Sequence, residues 1–170
     1  DGGADNDTLY GGADADTLTG GSGADYIDGG SGDDTLVDGT GLDTLEGGGG
    51  NDLIVAYDDN GADADSYDGQ SGNDTLDMSS FDDDITVNLT TNSIDTGDVI
   101  ETFESIYTGT GADTIVGTAS SNTIISGDGA DHITAGGGSD NVQAGAGDDI
   151  IIGGSGSDII DGGADTDTVD

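Results

Sequence analysis

The stretch "GGSGADYIDGGSGDDTLV", residues 20–37, is one nine-residue phrase stated twice. Each half opens Gly-Gly-Ser-Gly, carries Asp at its sixth place (Asp25, Asp34) and an aliphatic residue at its eighth (Ile27, Leu36). Outward from there the phrase runs six times without a gap over residues 2–55. Residues 56–59 interrupt it, two copies fill 60–77, residues 78–107 break the pattern, and seven copies fill 108–170, fifteen in all. The eighth place is hydrophobic throughout: Leu9, Leu18, Ile27, Leu36, Leu45, Ile54, Tyr67, Leu76, Ile115, Ile124, Ile133, Val142, Ile151, Ile160 and Val169. The sixth place reads Asp7, Asp16, Asp25, Asp34, Asp43, Asp52, Asp65, Asp74, Asp113, Asn122, Asp131, Asp140, Asp149, Asp158 and Asp167. An acidic run is ordinarily a solvated face or tail, but a tail has no reason to hold carboxylates in phase.

The 170 residues include 38 acids and no Lys or Arg, a formal charge of −38, with 31% hydrophobic residues and 35 Gly. So little apolar area at so high a charge normally leaves a chain disordered, because burial cannot offset chain entropy. Two carboxylates about 5 Å apart repel by about 0.8 kcal/mol even in water. With no internal cation, neutralising charge must come from outside. The same composition excludes partners: nucleic-acid phosphates and anionic lipid surfaces call for Lys and Arg. No apolar run approaches the length of a membrane span.

Each nonapeptide divides into a six-residue turn and a three-residue strand. Recurring Gly marks backbone that bends through positive φ. Asp, among the few other residues that enter the left-handed region, replaces the fourth-place Gly at Asp5, Asp14, Asp63 and Asp165. These four either add a ligand or hold the turn, and the turn is the favoured reading. The last three places are rich in Thr, Ile, Leu and Val, and strand alternation sends the eighth residue inward. Strand, turn, strand, turn predicts a parallel coil around a single file of Leu and Ile.

The phrases "GGSGADYID", "GGSGDDTLV", "GGGGNDLIV", "AGAGDDIII" and "GGSGSDIID" resemble the calcium-binding nonapeptide of the RTX (repeats-in-toxin, haemolysin-type) family. The resemblance covers residues 2–55, 60–77 and 108–170. It implies an all-β fold, a parallel β-roll (a right-handed β-helix or solenoid) of about fifteen nonapeptide half-coils with one enlarged non-repeat coil. Two nonapeptides per coil then lay each repeat over the next but one. One column carries Asp7, Asp25 and Asp43, and the opposite edge Asp16, Asp34 and Asp52. In the later block the columns are Asp113, Asp131, Asp149 and Asp167, and Asn122, Asp140 and Asp158. Calcium takes six to eight oxygens and accepts carboxylates and carbonyls alike, so one ion per stacked pair, with a few near Asp65 and Asp74, gives about 9–12 Ca2+.

The expected organisation is an N-terminal repeat block over 1–77, a non-repeat insert over 78–107 that continues the stack, and a C-terminal block over 108–170. Within the insert, "ITVNL" alternates as a strand. "VIETFESIY" suits a helical turn or an irregular strand, and a helical cap is the alternative to an enlarged coil. Asn122 offers a neutral oxygen, so its site is expected to be the weakest of its column, and its repeat "GTASSNTII" lacks two glycines. Gln70 replaces a second-place Gly, and Tyr67 is a bulky eighth residue. Asp58, Asp59, Asp82, Asp83 and Asp84 fall outside the sixth place and read as solvated. His132, the sole histidine, is an outward surface residue without partners for a triad or a zinc site. Outward seventh-place Thr suggests an ice-ordering lattice, but Tyr26, Leu53, His132, Asn141, Ile150 and Ile159 break it.

No catalytic constellation is present, so the segment reads as non-catalytic. The resemblance implies a calcium-binding module of a larger secreted bacterial protein. Such a chain leaves a calcium-poor cytosol unfolded through type I secretion machinery. It then folds on extracellular calcium, outside the cell or at its surface, and stabilises flanking domains. The alternatives are an accessory module of a secreted protease, lipase or polysaccharide epimerase, or a spacer of an adhesin or surface-layer protein. Asp1 fits the ninth place of a preceding repeat and Asp170 closes a repeat without a cap, so more repeats or caps are expected beyond both.

Overall fold

The computed structural model describes residues 1–57 and 64–170, in two compact units. One comprises Asp1–Asp77 with Thr96–Phe103, the other Met78–Asp95 with Glu104–Asp170. Asp58, Asp59 and Asp63 lie outside the described residues.

In the first unit, strands Gly3–Ala4, Thr17–Ser22, Thr35–Thr40, Leu53–Val55 and Thr75–Asp77 pair in that order, all parallel. Thr8–Ala13, Tyr26–Ser31, Thr44–Gly49, Ser66–Ser71 and Val99–Glu101 form the second parallel ladder. Each repeat lies over the next but one: Leu9 faces Ile27, which faces Leu45, and Leu18 faces Leu36, which faces Ile54. Alternation buries the eighth-place file of Ile27, Leu36, Leu45, Ile54, Tyr67 and Leu76 between the ladders.

The strands are longer than the three residues that composition suggests. Thr8–Ala13 runs on through the first three places of the following repeat, and its neighbours do the same. Alternation then carries the sixth, eighth and following first places to the inside, as Asp25, Ile27 and Gly29 are all buried. The three glycines of the phrase therefore serve two purposes, a correction to the single reading from backbone freedom. The second and fourth places do need positive φ: Gly30 sits at 100° and Gly32 at 133°. The first place takes no positive φ and is glycine for space alone, since a Cβ on Gly29 would stand 2.5 Å from Asp34 Oδ2 and 2.5 Å from the Gly47 carbonyl. In these stacked coils the other two places are crowded as well, a Cβ on Gly30 standing 2.3 Å from the Gly12 carbonyl and one on Gly32 2.4 Å from the Asp14 carbonyl. Asp5, Asp14 and Asp165 take φ of 78°, 76° and 78°, which makes them turn formers, and Gln70 enters the same region at 65°.

The second unit repeats the arrangement. Ser105–Tyr107, Thr123–Ile125, Asn141–Gln143 and Ile159–Asp161 make one parallel ladder. Thr86–Asn88, Thr114–Val116, His132–Gly138, Ile150–Gly156 and Thr168–Val169 make the other. Ser93–Ile94 pairs antiparallel with Thr86–Asn88. Ile115, Ile124, Ile133, Val142 and Ile151 form the core file, with Ala135 and Ala144 beside them.

The non-repeat segment contains strands and no helix among the described residues. "ITVNL" buries Ile85, Val87 and Leu89 and exposes Thr86. "VIETFESIY" resolves into two short strands, Val99–Glu101 and Ser105–Tyr107. Val87 faces Ile115, Ile100 faces Tyr67 and Ile106 faces Ile124, so three pieces of this segment reproduce the strand third of the repeat without its glycines. No helix of the described residues is long and apolar enough to cross a membrane.

Candidate metal centre

Stacking at one coil per two repeats brings the sixth places into columns, and a hydrogen-bond ladder runs along each. In the first unit the N–H of Asp7 donates to Asp25 Oδ1, Asp25 to Asp43 and Asp43 to Asp65, each at 2.7 Å. The opposite edge runs from Asp16 to Asp34 at 2.7 Å, then to Asp52 and Asp74 at 2.8 Å each. In the second unit Asp113 donates to Asp131 and Asp131 to Asp149 at 2.8 Å each, and Asp149 to Asp167 at 3.2 Å. Asn122 donates to Asp140 at 2.8 Å, and Asp140 to Asp158 at 3.0 Å. Every sixth-place residue singled out by phase thus lies in one of four columns.

The ladder occupies only Oδ1 of each acceptor carboxylate. Oδ2 of Asp7, Asp16, Asp25, Asp34, Asp43, Asp52, Asp113, Asp131, Asp140 and Asp149 is buried with no hydrogen-bond partner. Taking a carboxylate oxygen out of water without a partner is strongly unfavourable unless positive charge arrives beside it. The cost shows in the acidities. Burial, with neighbouring carboxylates adding to it, pushes Asp43 up to about 7, and burial raises Asp65 and Asp131 to about 6. Asp52, Asp113, Asp140 and Asp149 are shifted upward for the same first reason.

Those free oxygens turn toward the first-place glycine of their own repeat, where a carbonyl of the following coil also points. A Cβ on Gly29 would stand 2.5 Å from both Asp34 Oδ2 and the Gly47 carbonyl, and one on Gly20 2.6 Å from Asp25 Oδ2 and 2.5 Å from the Asp38 carbonyl, so carboxylate and carbonyl oxygens are neighbours there. Among the described residues no three Asp, Glu, His or Cys side chains gather as a ligand group. A cation held here would draw on one or two carboxylates and, for the rest, on main-chain carbonyls and water. An all-oxygen donor set of that kind suits a hard cation that takes six to eight oxygens at variable geometry, which is calcium rather than zinc. The chain's residues fit the ion: they supply charge and oxygen in columns, and the ion supplies the positive charge that the composition lacks.

Several positions depart from the pattern. Asn122 Oδ1 accepts from its own turn, from the Thr118 N–H at 2.8 Å and the Thr118 hydroxyl at 3.0 Å. Its Nδ2 donates to the Glu104 carbonyl at 3.1 Å. Asp158 and Asp167, in the last coils, are only half-buried. His132 is exposed, on the outward face. Two acids escaped the sequence reading. Asp98 accepts the Asp65 N–H on Oδ1 at 2.9 Å, as a sixth-place residue does, and its strand "DVIE" keeps the spacing of the phrase without the glycines that advertise it. Asp38 stands at a first place and is fully buried. The fifth places also stack, a link that mixed chemistry hid: Asn6 Oδ1 accepts from Ala24, Asp33 from Asn51 and Asp148 from Thr166 at 2.9, 2.8 and 2.9 Å.

The family model of the RTX calcium-binding nonapeptide repeat (4 copies) matches residues 1–36, 28–60, 61–77, 107–142 and 134–169. No curated protein matches the chain. Phase, parallel stacking, columns of half-satisfied carboxylates and this match converge: the chain belongs to the RTX calcium-binding nonapeptide repeat family, and its fold is a parallel β-roll whose ion is calcium.

Proposed function

We propose that this chain is a calcium-switched folding module of a larger secreted protein, with the sixth-place carboxylates as ligands. The observation that carries the reading is the set of buried Oδ2 atoms without partners that recurs along the four columns. Ten levels of that kind correspond to one ion each: those headed by Asp7, Asp16, Asp25, Asp34, Asp43, Asp52, Asp113, Asp131, Asp140 and Asp149. Asp65, Asp74, Asp158 and Asp167 close these levels from the neighbouring coil, and Asn122 heads the weakest level, which stays without an ion while its amide N–H donates in the metal's place. Because the core is a single aliphatic file, metal binding is folding free energy, and the calcium-free chain at neutral pH is an expanded polyanion. In a calcium-poor cytosol such a chain stays unfolded and suits export through a type I machinery. Outside, where calcium is millimolar, it folds and braces the domains attached to it. No residue here acts in catalysis, and any enzymatic activity belongs to flanking domains.

Circular dichroism of the chelated protein, followed by calcium titration, tests the reading. The expected result is a cooperative gain of β signal near about 0.1–1 mM calcium, the range of extracellular modules, with magnesium ineffective because it demands a tighter octahedron. A chelated protein with the same spectrum and melting temperature as the loaded one would overturn it.

A further inference from the structure

Two departures from the repeat meet in space. Asp38 stands at a first place, where the sequence otherwise puts mostly Gly and Ala, and Tyr67 at an eighth place otherwise held by Leu, Ile or Val. Their exposures are 0% and 2%. Tyr67 lies over Leu45 in register. From there its hydroxyl donates to Asp38 Oδ2 at 2.6 Å and reaches Asp65 Oδ2 at 3.1 Å. Asp38 is completed by the N–H groups of Gly39 at 2.5 Å and Tyr57 at 2.9 Å. One coil on, Asp98 Oδ1 takes the Asp65 N–H, and its Oδ2 takes the Thr96 hydroxyl at 2.7 Å. The carboxylate oxygen left without a partner along the columns is here supplied with a hydroxyl.

We propose that Asp38, Tyr67 and Asp65, with Thr96 on Asp98, form a hydroxyl staple that closes this level of the roll without a calcium ion. The inference rests on reading the unpartnered sixth-place oxygens elsewhere as calcium ligands. A phenol O–H presents partial positive charge to a carboxylate oxygen, as a cation does, but it is covalently part of the chain and does not leave on chelation. The two residues are matched to each other. A carboxylate at 38 without the phenol would be a buried charge short of a donor, and a tyrosine at 67 without the carboxylate would bury its hydroxyl beside Asp65 alone. The staple also sits where the repeat is interrupted by residues 56–59, and Asp38 fastens Tyr57 at the start of that interruption.

Counting calcium per chain by native mass spectrometry, for the wild type and for Tyr67→Phe, tests it. Phe keeps the ring and removes the hydroxyl, leaving Asp38 and Asp65 facing each other with no donor between them. The variant is expected to bind one ion more than the wild type. An equal count in a folded variant overturns the staple. If Tyr67→Phe does not fold, the wild type decides: a Tyr67 hydroxyl proton protected from exchange in the calcium-loaded protein supports the staple, and a freely exchanging one overturns it. A wild type that binds no calcium strikes the proposed function instead, and the same hydroxyl proton then judges the staple by itself.

Discussion

The N–H of Asp25 donates to Oδ1 of Asp43 at 2.7 Å, sixth place to sixth place across one coil. One carboxylate thereby divides its two oxygens: Oδ1 fixes the register of the stack, and Oδ2, buried without a hydrogen-bond partner, is the atom proposed to ligate calcium. Substitution can separate them.

At Asp34, whose Oδ1 accepts the Asp16 N–H at 2.7 Å, Asn retains the acceptor and removes the charge. Asp34→Asn is expected to fold in saturating calcium with one ion fewer, and with a calcium midpoint raised about 3- to 10-fold as the charge count of the site falls. Asp34→Ala removes both oxygens and leaves a buried N–H without its partner, a further loss of about 1–3 kcal/mol. Isothermal titration and melts of the two variants in calcium measure the difference. Equal midpoints for Asn and wild type would show that the charge of Asp34 is not used.

Gly11 and Gly12 are adjacent and identical in sequence, yet they are glycine for different reasons. A Cβ on Gly11 would stand 2.4 Å from the Gly29 carbonyl and 3.0 Å from Asp16 Oδ2, while Gly12 has φ of 101° with open space where its Cβ would stand. Asn tolerates positive φ but is too large for the crowded place. Gly12→Asn is therefore expected to be mild, and Gly11→Asn to cost more, on the order of 1–3 kcal/mol or above for overpacking. Urea denaturation in saturating calcium ranks them, and the reverse ranking would contradict the assignment of the two places.

The repeat was legible in the sequence because its period is rigid. An eighth-place aliphatic and a sixth-place carboxylate kept in phase dictate stacking, and stacking dictates the columns of Asp7, Asp25 and Asp43. What the sequence hid follows from the same logic. The strand "DVIE" lacks glycines, so Asp98 looked like one acid among many until pairing with Ser66–Asp68 placed it over Asp65. Tyr67 and Asp38 looked like separate defects because each is judged against its own repeat. Their contact spans 29 residues and appears only when Thr44–Gly49 and Ser66–Ser71 are stacked. The inward crowding of the first place was illegible because Gly carries no mark of why it is needed.

Asn122 offers a direct test of neutral donors standing in for cations. Its Nδ2 donates to the Glu104 carbonyl at 3.1 Å, so an amide N–H sits where other levels present only oxygens. Asn122→Asp replaces that donor with a second carboxylate oxygen facing a carbonyl, an arrangement that requires a cation between them. The variant is expected to bind one ion more than wild type and to melt lower than wild type when calcium is limiting. Native mass spectrometry and calcium-dependent melts read both, and an unchanged ion count would mean that the amide is not a substitute for the metal.

Protons compete for the same oxygens, and the direction of the effect follows from the shifted acidities. In the metal-free fold burial raises Asp43 to about 7 and Asp65 and Asp131 to about 6, whereas an unfolded Asp titrates near about 3.9. Between those values the folded chain holds more protons than the unfolded one. These groups therefore favour the metal-free fold in full below about pH 4, and that contribution is lost as pH rises through about 6–7. With calcium present the sign reverses for affinity, because the ion must displace the protons. The chelated protein is thus expected to gain β signal on acidification from pH 8 to about 4.5, while the calcium midpoint at pH 5.5 lies above that at pH 7.5. Circular dichroism at low protein concentration, checked for association by sedimentation, reads the first, and titration at the two pH values reads the second. A chelated chain equally unfolded at pH 4.5 and pH 8 would show that desolvation of these carboxylates is not what keeps the metal-free roll from forming.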